Sequence, residues 1–132
     1  MTQTHKQKIG KIGEDIACKF LEKRGFSVLE RNYWKKCGEL DIVVEKDKIL
    51  HFVEVKTVSR ENLKSNLLKN NEYRPEDNVH RWKLQRLFKT IQYYLFEKNI
   101  QEDADWQFDV IVVFLDTKEK TAKVRFLENV TS

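Results

Sequence analysis

Two short runs rich in β-branched and aromatic residues, Gly38 to Glu45 and Ile49 to Lys56, constrain this chain more than any other part of it. In the first, Leu40, Ile42 and Val44 alternate with Glu39, Asp41 and Val43, so strict period two predicts a half-buried strand with the first three on one face and the others opposite. Lys46-Asp47-Lys48 reads as a turn. The second run is a strand in which Glu54 and Lys56 project from one face, because side chains alternate along a strand. The expectation is a hairpin that brings Asp41, Glu54 and Lys56 together among apolar neighbours.

Such carboxylates are costly. Burying one inside a Val/Ile/Phe run forfeits hydration unless the group is paired or bound to a cation. A divalent metal would satisfy both acids: Mg²⁺ accepts one or two carboxylates with waters and phosphate oxygens, which Asp41 and Glu54, with the Val55 carbonyl, would supply. Lys56 would then stand ready to orient water or to steady charge on a phosphate.

Asp41, followed after twelve residues by Glu54-Val55-Lys56, resembles the PD-(D/E)xK motif of restriction-endonuclease-like nucleases, with Leu40 in place of the motif's proline. Gly13-Glu14, Arg31-Asn32-Tyr33, Gly38-Glu39-Leu40-Asp41-Ile42-Val43, Phe52-Val53-Glu54-Val55-Lys56 and Phe108-Asp109-Val110 also occur in the order of the YraN-like family of small proteins, from about Ile9 to Val113. That family is similar in pattern to Holliday junction resolvases. The resemblance implies a mixed central β-sheet flanked by α-helices and metal-dependent endonuclease activity on DNA, including branched or structured DNA. It further implies Mg²⁺ or Mn²⁺ held by Asp41, Glu54 and Glu14, Lys56 as the residue positioning the attacking water, and a homodimer acting on one junction. The chain departs from the family's pattern at Val58, where an arginine is frequent, and carries Arg60 further on.

The charge layout agrees with a nucleic-acid partner. Net charge is only +4, but residues 38–56 form an acidic island, three basic against five acidic, between segments 1–37 (nine against four) and 57–98 (nine against five). Basic surface attracts a phosphate backbone while local negative charge holds a metal. A solvated lysine-rich face explains the same layout, and the two readings stand side by side. Without an apolar stretch long enough to span a bilayer or a secretory-type N-terminus, the expectation is a cytoplasmic protein with no membrane partner. Cys18 and Cys37 lack zinc-site spacing and read as free thiols, Cys18 packed in a helix.

At 132 residues the chain reads as one domain, with residues 1–7 frayed. Ile9, Ile12, Ile16, Ala17, Phe20 and Leu21 predict a helix from Lys8 to Arg24, ended by Gly25. On residues alone, Glu14 reads as a surface acid paired with Lys11. Gly10 and Gly13, poor helix formers, allow close approach to the sheet or to a phosphate. Phe26 to Asn32 reads as the first strand, leading into a turn where Tyr33 and Trp34, beside Lys35 and Lys36, either stack on bases or pack in the core.

Residues 57–77 read as a loop or short helix near the site, with Arg60 and Lys64 as substrate contacts. A second helix, capped by Asp77 or Asn78 and reaching Lys98, buries Val79, Leu84, Leu87, Phe88, Ile91, Tyr94 and Leu95. Its first half carries Arg81, Lys83, Arg86 and Lys89, against the helix dipole, which calls for an outside anion such as phosphate. Gln107 to Leu115 reads as a buried strand; Asp109 in it either supports the site or holds a backbone amide. Ala122 to Leu127 closes the sheet as an edge strand. Helix, three strands, helix and two strands make an α/β fold. A DNA endonuclease is the preferred function; the alternative is a non-catalytic nucleic-acid-binding scaffold on the same fold.

Overall fold

Among the described residues, five strands and two helices follow from these patterns. A computed structural model describes residues 3–60, 81–101 and 103–131, without the side chains of Arg60, Arg81 and Trp82. The elements are α1 (His5–Lys23), β1 (Ser27–Lys35), β2 (Gly38–Lys46), β3 (Ile49–Arg60), α2 (Arg81–Glu97), β4 (Trp106–Asp116) and β5 (Thr121–Leu127). The strands lie in sequence order, antiparallel except for the parallel β3–β4 pair. The mixed sheet expected of an α/β fold is therefore present, and it is compatible with a restriction-endonuclease-like fold.

Each helix covers one face. Ala17, Cys18 and Leu21 of α1 join Ile42, Val44, Val53, Ile111 and Val113, whereas Ile91, Tyr94 and Leu95 of α2 join Tyr33, Leu40, Val43, Phe52, Phe108 and Val112. β4 is buried from Phe108 to Asp116, as its nearly unbroken apolar run requires when both faces are covered.

Several boundaries move. Residues 5–7 belong to α1: the Thr4 hydroxyl accepts from the Gln7 amide and the Gln7 side chain accepts from the Thr4 amide, a reciprocal cap that starts the helix three residues early. Tyr33, Trp34 and Lys35 continue β1, so the turn before β2 is only Lys36-Cys37. β2 runs through Lys46, leaving a two-residue turn in which Asp47 and Lys48 both have positive φ (53° and 66°). Residues 57–60 extend β3; the remainder of the expected loop, the caps Asp77 and Asn78, and Val79 lie outside the described residues.

Period two also fails locally, and this shapes the site. Leu40 packs with Val43 in the α2 core while Ile42 and Val44 pack under α1, so β2 switches faces across Asp41. β1 does the same, since Arg31 pairs with Ile42 and Tyr33 with Leu40, around Asn32 at φ 53°. A left-handed residue rotates the strand beyond it, which the alternation rule takes no account of.

Gly13 fixes the height of α1 above the sheet. A Cβ there would lie 1.9 Å from Thr57 Oγ1 and 2.9 Å from Thr57 Cβ, so rotating the threonine does not relieve the clash; Gly10 has nothing within 4 Å. Gly13→Ala is expected to destabilise the fold by about 1–3 kcal/mol despite alanine's better helix propensity. Gly10→Ala should stabilise it by up to about 1 kcal/mol. Chemical denaturation of the two variants checks the opposite signs.

Candidate active site

β2 and β3 pair from Lys46↔Ile49 up to Ile42↔Val53 and no further. Past that point the face switch at Asp41 opens a fork, and the Asp41 carboxylate enters it: the Val55 amide, left without a β2 carbonyl, donates to Asp41 Oδ2 at 2.9 Å. A cleft of about 670 Å³ lies between this fork and the first half of α1, bordered by Glu14, Arg31, Glu39, Asp41 and Lys56 and, on its basic rim, Lys6 and Lys11. A second cleft of about 310 Å³ on the α2 side is bordered by Glu39, Asp41, Glu54, Lys83 and Arg86. Asp41 and Glu39 border both.

The electrostatics centre on Asp41. Desolvation, opposed by the Val55 hydrogen bond and reinforced by the charges of Glu54, Glu14 and Glu39, pushes its carboxyl up to about 7. Glu39, though exposed, is raised too, first by desolvation and then by Glu14. This is a local surplus of negative charge.

The predicted site residues fall into two groups. Glu14, Asp41 and Lys56 border the larger cleft; Glu54 borders the smaller one and pairs with Lys83 at 2.8 Å. Glu54 and Lys56 do share one face of β3, that of Phe52 and Val58 on the α2 side, and they alternate with Val53 and Val55, which pack under α1. Glu14 does not pair with Lys11. Arg31 takes it at 3.4 Å and holds Asp15 at 2.7 Å, while Lys11 reaches Asp15 at 3.8 Å. Arg31 thereby clamps α1 to β1 and fixes where Glu14 stands; beside it the Asp15 carboxyl is held below its usual range.

Among the described residues, the group of three metal-type side chains with ligand atoms within 4.8 Å of one another is elsewhere, at His51, Asp109 and Glu128. There Asp109 is fully buried and its oxygens are already engaged, Oδ2 with His51 Nδ1 at 2.6 Å and Oδ1 with Gln107 Nε2 and the Asn129 amide, each at 2.8 Å. Of the two readings of Asp109, the hydrogen bond to a backbone amide is the one present. Glu14, Asp41 and Glu54 do not form such a group among the described residues; their ligand atoms are spread more widely than those of that trio.

The basic residues also divide. Lys35 is committed to Glu97 at 3.1 Å and lies over the rings of Tyr33 and Tyr93, and Arg86 donates from Nε to the Cys37 carbonyl at 3.3 Å. With Lys83 on Glu54, these cations have partners inside the protein; of the α2 cations expected to await an outside anion, Lys83 and Arg86 are thus already engaged, whereas Lys89 is exposed and makes no ion pair among the described residues. Lys36 and Lys56 are exposed and make no ion pair among the described residues. The side chains of Arg60 and Arg81, and all of Lys64, lie outside the described residues. Both cysteines are free; Cys18 is buried in α1, and Cys37 Sγ accepts from the Thr90 hydroxyl at 3.4 Å.

Sequence reasoning missed three contributors to the cleft. Glu39 is written into the motif beside Asp41, Arg31 stands in the Arg31-Asn32-Tyr33 stretch of β1, and Lys6 belongs to the segment expected to fray.

Comparison with known proteins agrees with the motif resemblance. The model of the family described as "Uncharacterised protein family UPF0102" matches residues 13–113. A UPF0102 protein of Campylobacter jejuni (serotype O:23/36, strain 81-176) is similar at 38% identity over 122 residues, covering 92% of each chain. UPF0102 proteins of Campylobacter hominis (36% over 124 residues, 94% of each chain) and Campylobacter lari (35% over 119 residues, 90% of this chain and 89% of that one) are similar over nearly the same span. The matched region contains Glu14, Asp41, Glu54 and Lys56 and most of both cores, and on that extent of likeness this chain belongs to the UPF0102 family, the family its YraN-like motifs resemble.

Proposed function

We propose that this protein is a metal-dependent endonuclease that hydrolyses phosphodiester bonds of DNA in the cleft between α1 and the β2–β3 fork. The observation that carries the reading is Asp41. Its carboxylate is drawn into the fork, holds one backbone amide and is surrounded by three further carboxylates, so its ionised form lacks a countercharge. The donor set fits a hard divalent cation: all oxygen, more than one carboxylate, and open space on the side where a phosphate would enter. Asp41 and Glu54, with Glu14, would hold Mg²⁺ or Mn²⁺. When bound, the ion supplies charge neutralisation for the phosphate and a more acidic water. Lys56 then orients the attacking water and meets the charge developing on the phosphate, while Lys6 and Lys11 attract the strand to the cleft mouth.

The Lys83–Glu54 ion pair does not bar this. Both side chains retain solvent contact, 48% and 26%, and such a pair is worth about 1 kcal/mol or less. A divalent ion among several carboxylates outweighs it. Removing the competitor, Lys83→Met, should therefore tighten Mn²⁺ binding by about three- to tenfold. Titration of Mn²⁺ into parent and variant measures this, and weaker binding in the variant would contradict it.

The same ion pair is the one feature that favours the alternative, a non-catalytic nucleic-acid-binding scaffold in which Lys83 replaces the metal permanently. Parent, Asp41→Ala and Lys56→Ala proteins assayed on linear duplex, single-stranded and four-way DNA with Mg²⁺ or Mn²⁺ separate the two. Cutting by the parent alone supports hydrolysis. Salt-sensitive binding without cutting supports the scaffold.

A further inference from the structure

We infer that Trp34 is a stacking platform for a nucleobase, and that the nucleic acid taken by the α1-side cleft presents an unpaired base next to the phosphate it places there. The inference rests on the nucleic-acid reading above and adds the form of the substrate.

Two aromatic residues stand side by side in β1 and meet opposite fates. Tyr33 is 5% exposed, packs edge-to-face on Tyr94 and donates from its hydroxyl to Glu97 at 2.9 Å. Trp34 is 67% exposed and has no ring or hydrogen-bond partner among the described residues. A lone exposed aromatic is ordinary on a protein surface, so exposure alone assigns nothing. Position does. Trp34 is the cross-strand partner of Glu39, and directly opposed residues of an antiparallel pair share a face. Glu39 borders both clefts, and although Trp34 lines neither, the neighbouring rung decides between the two sides. The adjacent Tyr33↔Leu40 rung points into the α2 core, so Trp34 and Glu39 point to the other side, the side of the larger cleft. The remaining large exposed aromatics, Tyr93 and Phe96, lie on α2 and belong to the opposite face.

The chemistry of the rim selects the occupant. Two positions on from the indole is Lys36, exposed and without an ion pair among the described residues, and the cleft itself is lined by Lys6, Lys11 and Lys56. An apolar planar surface flanked by ammonium groups, with carboxylates set deeper, matches a strand whose phosphates meet the lysines and whose base lies on the ring. In an intact duplex the bases stack on one another and offer no face to an indole at this position. A single strand, a flap or a junction does.

The test is binding without turnover. Parent, Trp34→Ala and Trp34→Phe are titrated in EDTA, by fluorescence anisotropy, with a labelled single strand, the blunt duplex of the same sequence, and a single strand carrying abasic sites. The expected result is tighter parent binding to the single strand than to the duplex, and a loss of roughly tenfold or more in Trp34→Ala for the single strand. Trp34→Phe should retain most of the affinity, and the abasic strand should be bound no better by the parent than by Trp34→Ala. An equal effect on single strand and duplex, or none, overturns the platform, and parent cleavage of duplex would leave the hydrolase reading standing. Absence of binding to every probe overturns the platform, whereas the hydrolase reading falls only if the parent cuts no DNA with Mg²⁺ or Mn²⁺.

Discussion

Asp41→Asn is expected to abolish metal-dependent cleavage, a loss of about a thousandfold or more, while making the metal-free protein more stable at pH 8 than its parent. The second half is the unusual one, and it follows from the sign of the shift. The carboxyl is raised from its ordinary 3.8 to about 7, chiefly by desolvation. The folded state therefore holds the proton more tightly than the unfolded state. Below pH ~4 both states are protonated and the residue costs nothing. Between there and 7 the parent's stability falls as pH rises, and above 7 the whole cost is present. The shift converts to about 4 kcal/mol at most; solvent access to the cleft reduces this to about 1–3 kcal/mol. Urea denaturation of parent and variant at pH 4, 6 and 8 should give a difference that grows with pH. A variant equally stable or less stable than the parent at pH 8 would mean that Asp41 is not charge-strained. Saturating Mn²⁺ should reverse the order by stabilising the parent alone.

Asp109→Ala carries the second large effect, on folding. The side chain is fully buried and its two oxygens serve three groups, His51 Nδ1, Gln107 Nε2 and the Asn129 amide. It joins β3, β4 and the segment after β5, where the Val130 amide also donates to the Phe108 carbonyl. Alanine removes the acceptor that these groups share. The expected cost is about 3–5 kcal/mol, a large share of a small domain's stability. The midpoint of chemical denaturation should drop accordingly, and a drop under about 1 kcal/mol would show that water replaces the carboxylate. Because Asp109 bonds to none of Asp41, Glu54 or Lys56, any Asp109→Ala protein that remains folded should bind Mn²⁺ as the parent does.

The fold was legible in the sequence wherever one periodicity held. The α1 and α2 stripes, the β2–β3 hairpin and the apolar run of β4 each follow one repeat, and each lies within a few residues of its expected span. The Thr4-x-x-Gln7 signature that starts α1 is equally plain in the sequence, although polarity alone reads residues 1–7 as frayed. What was not legible are features made by backbone rotation or by distant partners. Alternation places Leu40 with Ile42; the turn of both strands at Asn32 and Asp41 separates them, and that rotation makes the fork. Lys83 lies 29 positions from Glu54, and no local rule couples them. Arg31 and Glu14, likewise, meet only because Gly13 lets α1 settle on β3. The residue types of the candidate site were written in the motif, whereas their division between two clefts needed coordinates.

The most direct test of the account is calorimetric titration of Mn²⁺ into the metal-free parent and Asp41→Asn, at pH 6 and pH 8. Saturable binding to the parent is expected, about tenfold tighter at pH 8 because the Asp41 proton must leave, and none to the variant. Parent and variant binding Mn²⁺ equally, or neither binding it at either pH, would contradict it.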